Sequence, residues 1–305
     1  MKVLVLGAGA TGAYFGARLI EAGSDVTFLV RPARAERLRA DGLRVVSEHG
    51  DFAAPVSTLV TIPSSAAFDV VLLACKAYDL DSAIAAIAPA VGSRTRVIPL
   101  LNGMRHLDAL DLAFGAERVW GGLCHIPVTL LDDGVVKHMG KVHRLTFGPR
   151  RDDPHVADIA PALLAMPVSV VFSERIVDAM WEKWAFLSTL AAMTCAMRGS
   201  IGQIVATPDG TALMRRCYDE ARQVARACGH AVGETSRADS DASLTAANSP
   251  LTASMLRDLE RGARTECEHI LGDLVARGTK HGLDLPLLTA ACAHVRVYEG
   301  ARRQN

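Results

Sequence analysis

Val3-Leu4-Val5-Leu6-Gly7-Ala8-Gly9-Ala10-Thr11-Gly12 decides how the rest of the chain folds. Val3–Leu6 is an unbroken apolar run, the pattern of a strand covered on both faces, and a helical pattern over Thr11–Ala22 starts inside the glycine-rich segment. Glycines spaced G-x-G-x-x-G are a weak signal alone, but between a strand and a helix each has a physical task. Gly7 permits the tight turn, Gly9 lets a pyrophosphate approach the backbone, and Gly12 lets helix and strand pack closely. The first N–H groups of such a helix lack intrahelical acceptors and point at the phosphates. Gly7, Ala8, Gly9, Ala10, Thr11 and Gly12 are therefore candidate cofactor contacts; the competing reading is a glycine turn that binds nothing.

The alternation continues downstream. Strand patterns fall at Asp25–Val30, Asp69–Ala74, Arg96–Leu101, Val119–His125 and Val168–Phe172, with helical patterns at Arg34–Asp41, Leu80–Ala90, Arg105–Phe114 and Pro154–Ala165. Two stretches break the rhythm: Leu43–Val60, with a turn at His49-Gly50-Asp51, and Pro127–Phe147, with turns at Asp133-Gly134 and Met139-Gly140-Lys141. Both read as antiparallel additions to the sheet. After Phe172 the strand signals stop and helix formers dominate, although Ala231–Ser249 has no clear period. The predicted fold is α/β: an N-terminal Rossmann-type parallel sheet with antiparallel additions, residues 1–173, followed by an all-α C-terminal domain, residues 174–305.

Composition narrows the partners. Lys plus Arg and Asp plus Glu both total 33, so no overall field draws the chain to nucleic acid or an anionic membrane, and a small molecule is the expected partner. The seven cysteines form no C-x-x-C pair, and the ten histidines form no H-E-x-x-H or close pair, so neither a metal site nor a disulfide scaffold is expected. Met1 runs directly into the first strand without a signal-peptide pattern, and no apolar stretch is long enough to span a bilayer, so a cytoplasmic location is expected. The helical half carries enough apolar surface to form a homodimer.

The end of the second strand bears on the cofactor. A chain that binds NAD usually places Asp or Glu there to hold the ribose 2′-hydroxyl, whereas this one reads Thr27-Phe28-Leu29-Val30-Arg31-Pro32-Ala33-Arg34. Arg31 can pair with a 2′-phosphate, which predicts NADPH; Arg34 can add to that charge but reads first as a solvated surface arginine. Lys76 and Asn102 each follow an apolar strand, at the sheet edge where ligands bind in open α/β folds.

The helical half offers three ambiguous polar residues. Lys183 has Ala179, Met180, Phe186 and Leu187 as its helical neighbours, so it projects from an apolar stripe. An ammonium partly withdrawn from water gives up its proton more readily, but a lysine there can equally cover apolar surface with its stem while its head reaches solvent. Glu266 can act in chemistry or simply solubilise a helix start, and Ser254 can bind a ligand or serve as an N-cap. Trp181 and Trp184 read as packing residues rather than as a stacking platform for a ligand.

In this order, the glycine turn, Arg31, Cys75-Lys76-Ala77-Tyr78-Asp79, Leu101-Asn102-Gly103, Trp181-Glu182-Lys183-Trp184 and the Ser254-Met255-Leu256…Thr265-Glu266 block resemble the ketopantoate reductase (2-dehydropantoate 2-reductase) family over nearly the whole chain. The resemblance implies an oxidoreductase in which NADPH reduces a 2-oxo acid to a 2-hydroxy acid, most directly 2-dehydropantoate to pantoate in pantothenate biosynthesis. It also implies roles. Lys183 donates the proton, Glu266 orients substrate and cofactor, Ser254 holds the substrate carboxylate, Asn102 contacts both, and Lys76 is a cofactor-side contact. It makes the N-terminal domain NADP-binding and the helical domain substrate-binding.

The chain also departs from the family. Asparagines usual four and eight residues after the catalytic lysine are here Leu187 and Ala191, and a third asparagine position falls near Ile201. Ser188, Thr189 or Thr194 can partly replace them, although the helical phase differs. Two rival functions follow: reduction of a less hydroxylated 2-oxo acid or a related carbonyl or imine, and a catalytically silent NADPH-binding sensor.

Overall fold

Helix α1 (Ala10–Glu21) is buried over every residue from Gly12 to Leu19, which a helix lying on one sheet face alone would not be. The reason lies in the strands around it. The computed structural model describes residues 1–64 and 66–304. In chain order the strands are β1 (Lys2–Leu6), β2 (Asp25–Leu29), β3 (Leu43–Val46), β4 (Phe52–Ala54), β5 (Ser57–Leu59), β6 (Val70–Leu73), β7 (Arg96–Pro99), β8 (Gly121–His125), β9 (Val128–Leu130), β10 (Val136–His138), β11 (Arg144–Gly148) and β12 (Ser169–Phe172). Helices α2 (Pro32–Asp41), α3 (Leu80–Ile87), α4 (Arg105–Phe114) and α5 (Val156–Leu164) lie between them.

The central sheet has the order β5-β2-β1-β6-β7 and all its pairs are parallel. This is the order expected when successive crossovers run first one way and then the other from the first strand. Every residue of β6 and β7 is buried, which suits the apolar run of β6 and, in β7, leaves Arg96 as a buried charge that needs a partner. The interrupting stretches do supply antiparallel pairs, β3 with β4 and β9 with β10, but these form a separate four-stranded sheet, β4-β3-β10-β9, in which β10 runs parallel to β3. Tyr14 from α1 shares one apolar core with Leu43, Val45, Phe52 and Val136 from this small sheet and with Phe28 from the large one. α1 is thus sandwiched. β5 joins the parallel sheet beside β2, and β11 pairs antiparallel with β8 and parallel with β12.

Two polar clusters lie inside this region. Arg96 and Asp153, both nearly inaccessible, form a two-pronged ion pair at 2.5 and 3.0 Å, and Trp120 Nε1 donates to the same carboxylate at 2.6 Å. Burial alone would raise the Asp153 carboxyl, but bonds from Arg96, the His155 N–H and Trp120 hold it down at about 2. On the small-sheet side of α1, three histidines far apart in sequence come together. His49 stacks on His143 at 3.6 Å between centroids, His138 lies 5.9 Å from His143, and the Tyr14 hydroxyl is 2.9 Å from His143 Nδ1. Both ring nitrogens of His138 are engaged, with the Ser47 hydroxyl and the Val142 carbonyl, each at 2.9 Å. Among the described residues no His, Cys, Asp and Glu group is arranged to hold a metal ion, and no helix is long and apolar enough to cross a membrane.

By its contacts the chain divides into two units, Met1–Leu101 with His106–Ile176, and Asn102–Arg105 with the residues from Val177 onward. The second unit is helical: α6 (Ile176–Met197), α7 (Ile201–Val205), α8 (Gly210–Ala227), α9 (Glu234–Leu244), α10 (Ser254–Glu260), α11 (Asp273–Lys280) and α12 (Pro286–Gln304), with a π-helical turn at Glu268–Gly272 before α11. α7 starts with a reciprocal cap in which the Ser200 side chain accepts from the Gln203 N–H and the Gln203 side chain accepts from the Ser200 N–H. The aperiodic stretch Ala231–Ser249 contains α9.

Candidate active site

The glycine turn follows β1 directly. Gly7 sits at φ +92°, where a side chain is strained, and its N–H donates to the Leu29 carbonyl at 3.0 Å, locking the turn to β2. A Cβ on Gly12 would run into the Gly7 carbonyl oxygen and come within 3.1 Å of the Ala74 methyl. Gly9 is different: a Cβ there would meet nothing within 4 Å. Gly9 is the N-cap of α1, its conformation is extended, no side chain caps the helix, and no acid lies in the first turn. Among the described residues no side chain caps α1, and the room at Gly9 leaves the first N–H groups of the helix able to receive an anion such as a pyrophosphate.

Arg31 lies at the end of β2 and caps α2 with its backbone. Its side chain is 80% exposed and pairs with Asp79 at 3.1 Å, a surface contact that exchanges readily for a stronger anion. Arg34, read from sequence as solvated, is not. Its Nε donates to the Ala8 carbonyl of the glycine turn at 3.0 Å and its Nη atoms reach the Gly134 carbonyl at 3.4 and 3.5 Å; burial and then Arg37 lower its pKa. The hint in the sequence is the i, i+3 spacing of Arg31 and Arg34; the Gly134 partner, 100 residues away, leaves no local trace. Lys76, half-buried, is the extended residue that precedes a 3₁₀ turn at Ala77–Asp79 after β6.

The second unit gathers the remaining candidates. Lys183, half-buried on α6, donates from Nζ to Asn102 Oδ1 at 3.0 Å across 81 residues of sequence. Gly103, at φ +82°, then lets the chain pass so close to the π-turn that a Cβ would lie 2.6 Å from the His269 carbonyl. Glu266 is 8% exposed and lies just before that turn, its carbonyl accepting the N–H groups of His269 and Ile270 at 3.0 Å each. His269 is held neutral, with burial the largest cause and its pKa lowered to about 4. Ser254 is the first residue of α10; the N-cap is Ala253, so the capping role considered for Ser254 does not apply. Trp181 stacks on His230 at 5.6 Å, and Trp184 is buried.

The positions that distinguish this chain are apolar. Ala191 and Ile201 are fully buried and Leu187 is half-buried. The hydroxyls named as substitutes are all committed elsewhere: Ser188 donates to the Ile270 carbonyl at 3.3 Å, Thr189 to Ala185 at 2.9 Å and Thr194 to Leu190 at 2.7 Å. All three residues have zero exposure.

A parallel sheet with a glycine turn after its first strand, followed by a helical unit carrying a lysine–asparagine pair, is the architecture of a class of two-domain oxidoreductases. The model of the ketopantoate reductase PanE/ApbA family matches residues 3–152, and that of its C-terminal domain matches residues 175–299. The chain belongs to the ketopantoate reductase family. It is 34% identical over 304 residues to the uncharacterized oxidoreductase YkpB of Bacillus subtilis, covering 99% of this chain and 100% of that one. To the 2-dehydropantoate 2-reductase of Halobacterium salinarum it is 31% identical over 303 residues, covering 97% and 98%. The crystal structure of a PanE/ApbA family ketopantoate reductase from Ralstonia eutropha JMP134 superimposes with a TM-score of 0.89 at 29% identity, covering 99% and 100%. The protein is accordingly an oxidoreductase of the 2-dehydropantoate 2-reductase type.

Proposed function

We propose that the protein uses NADPH to reduce a 2-oxo acid to the 2-hydroxy acid, with 2-dehydropantoate as the substrate its family membership suggests. The observation that carries this is the Lys183 Nζ to Asn102 Oδ1 bond of 3.0 Å. It gives the ammonium a fixed direction, and a fixed cation beside a ketone stabilises the alkoxide better than a mobile one. When bound, the reduced nicotinamide supplies hydride to the ketone carbon. Lys183 then transfers a proton from Nζ to the alkoxide oxygen, leaving a neutral amine that solvent reprotonates. Asn102 holds the lysine, Glu266 orients the reacting groups, and Ser254 offers its hydroxyl to the substrate carboxylate. Gly7–Gly12, Arg31 and Lys76 bind the dinucleotide, Arg31 at the 2′-phosphate.

A second reading of the substrate rests on Leu187, Ala191 and the inward-bonded hydroxyls of α6, which favour a less hydroxylated 2-oxo acid. Lys183→Ala is expected to lose most of kcat while NADPH binding, followed by fluorescence, is retained. Full turnover in that variant would remove the proton-donor assignment. Initial rates of NADPH oxidation with 2-dehydropantoate and with its deoxy analogue separate the two substrates.

A further inference from the structure

Two buried donors on α6 converge on one backbone oxygen. Trp184 Nε1 donates to the Ile270 carbonyl at 2.9 Å, and Ser188 Oγ donates to the same oxygen at 3.3 Å. Trp184 is 1% exposed and Ser188 is fully buried, so neither bond is shared with solvent. In a regular helix a carbonyl serves the helix's own ladder; Ile270 lies in the π-helical turn Glu268–Gly272, a departure from that ladder that must be held by its surroundings. The same residue is tied in the other direction, because the Ile270 N–H donates to the Glu266 carbonyl at 3.0 Å. One residue earlier, the His269 carbonyl closes against Gly103, the neighbour of Asn102. Ile270 thus links the residue after Lys183 to the backbone of Glu266, and the π-turn touches the segment that accepts the Lys183 bond.

We propose that Trp184 and Ser188 are positioning residues for the reaction: through the Ile270 carbonyl they hold the turn bearing Glu266 in register with Lys183 and Asn102. They touch none of the reacting atoms in this scheme. The inference rests on the roles given above to Lys183 and Glu266. Its physical basis is that proton transfer and charge stabilisation depend on sub-ångström placement, whereas ground-state binding of cofactor and 2-oxo acid is shared over many contacts.

Trp184→Phe keeps most of the ring volume and removes the N–H; Ser188→Ala removes the second donor with little change in volume. Each is assayed well below its melting temperature, with turnover expressed per NADPH-binding site so that unfolded protein is not counted. The expected result is a kcat lowered by about tenfold to a hundredfold, with NADPH Kd and the KM for the 2-oxo acid within about twofold of wild type. A lowered melting temperature with kcat per site unchanged in both variants would show that the bonds serve stability alone and would overturn the proposal. Lys183→Ala is assayed alongside. If it is inactive while both variants turn over at full rate, only the positioning inference fails; if it is fully active, the proton-donor role and the inference fall together. Ser188→Ala protects the test should Trp184→Phe not fold.

Discussion

Gly9 and Gly12 belong to the same turn, yet alanine at the two positions should fail for opposite reasons. At Gly12 the added methyl meets backbone on one side, the Gly7 carbonyl, and the Ala74 methyl at 3.1 Å on the other, neither of which can swing away. Overpacking of this kind costs roughly 1–3 kcal/mol, with the upper end apt for two rigid neighbours, and the helix propensity gained by alanine over glycine returns about 1 kcal/mol. The net loss is about 1–2 kcal/mol, a fall of roughly 2–8 °C in Tm for a unit of this size. At Gly9 the methyl enters open space, and φ −74°, ψ −165° is a conformation alanine adopts freely, so Tm should stay within about 2 °C of wild type. That open space is where the pyrophosphate is proposed to lie. Pushing a phosphate off one backbone N–H forfeits a charge-assisted bond of about 1.5–3 kcal/mol, so NADPH binding should weaken about 10- to 100-fold. Thermal denaturation without ligand and NADPH titration by fluorescence energy transfer measure the two quantities separately. Gly9→Ala with unchanged NADPH affinity would refute the placement of the phosphates, and Gly12→Ala with unchanged Tm would refute the packing account.

Three further outcomes follow from the same structure. Arg31→Ala should reduce the preference for NADPH over NADH in kcat/KM by roughly tenfold if, as proposed, the arginine exchanges Asp79 for the 2′-phosphate; equal use of both cofactors by wild type would remove the premise. His143, pushed down to about 4 by burial first and then by His49, His138 and Arg18, titrates near 6.5 when unfolded. Its contribution to stability is therefore whole above pH 6.5 and is lost as pH falls through 4; with its partial exposure discounted, His143→Gln should remove about 1–2 kcal/mol of that acid sensitivity in urea melts at pH 7 and pH 4.5. Asp153, held at about 2 against 3.8 unfolded, loses its contribution only as pH drops below 3.8 and through 2, and Asp153→Asn should cost about 3–5 kcal/mol at neutral pH by leaving Arg96 buried without its counter-charge.

Features defined by neighbours in sequence were legible before the structure, and those defined by distant partners were not. β1 from Val3 onward and β6 announce themselves because strands buried on both faces must be continuously apolar, and β2 and β7 by their short runs Phe28-Leu29 and Val97-Ile98. The small sheet escaped because its strands run three or four residues and β3 finds β10 about ninety positions away, so the sequence shows hairpins without showing where they dock. Arg34 and the histidine trio escaped for the same reason: His49 reads as a turn residue until His138 and His143 arrive from another part of the chain. Lys183 could be singled out from its apolar stripe, but not told apart from a solvent-reaching lysine; the bond to Asn102 makes that distinction, and it spans 81 residues.

The substitutions along α6 make a sharper statement about substrate than family membership does. Lys183, Leu187 and Ala191 recur every fourth residue and so share one helix face. A hydroxylated substrate lying along that face meets no amide at Leu187 or Ala191, and Ser188, Thr189 and Thr194 are fully buried with their hydrogens donated to backbone carbonyls. An added methylene, in contrast, gains about 0.8 kcal/mol where it displaces water from apolar surface, or about fourfold in kcat/KM. In a series of straight-chain 2-oxo acids kcat/KM should therefore rise about fourfold per carbon until the space is filled. Restoring one amide by Leu187→Asn should flatten that rise and favour the hydroxylated acid. If 2-dehydropantoate exceeds its deoxy analogue tenfold or more with wild-type protein, polar partners outside α6 must supply what its apolar face lacks, and the preference for less hydroxylated acids is wrong.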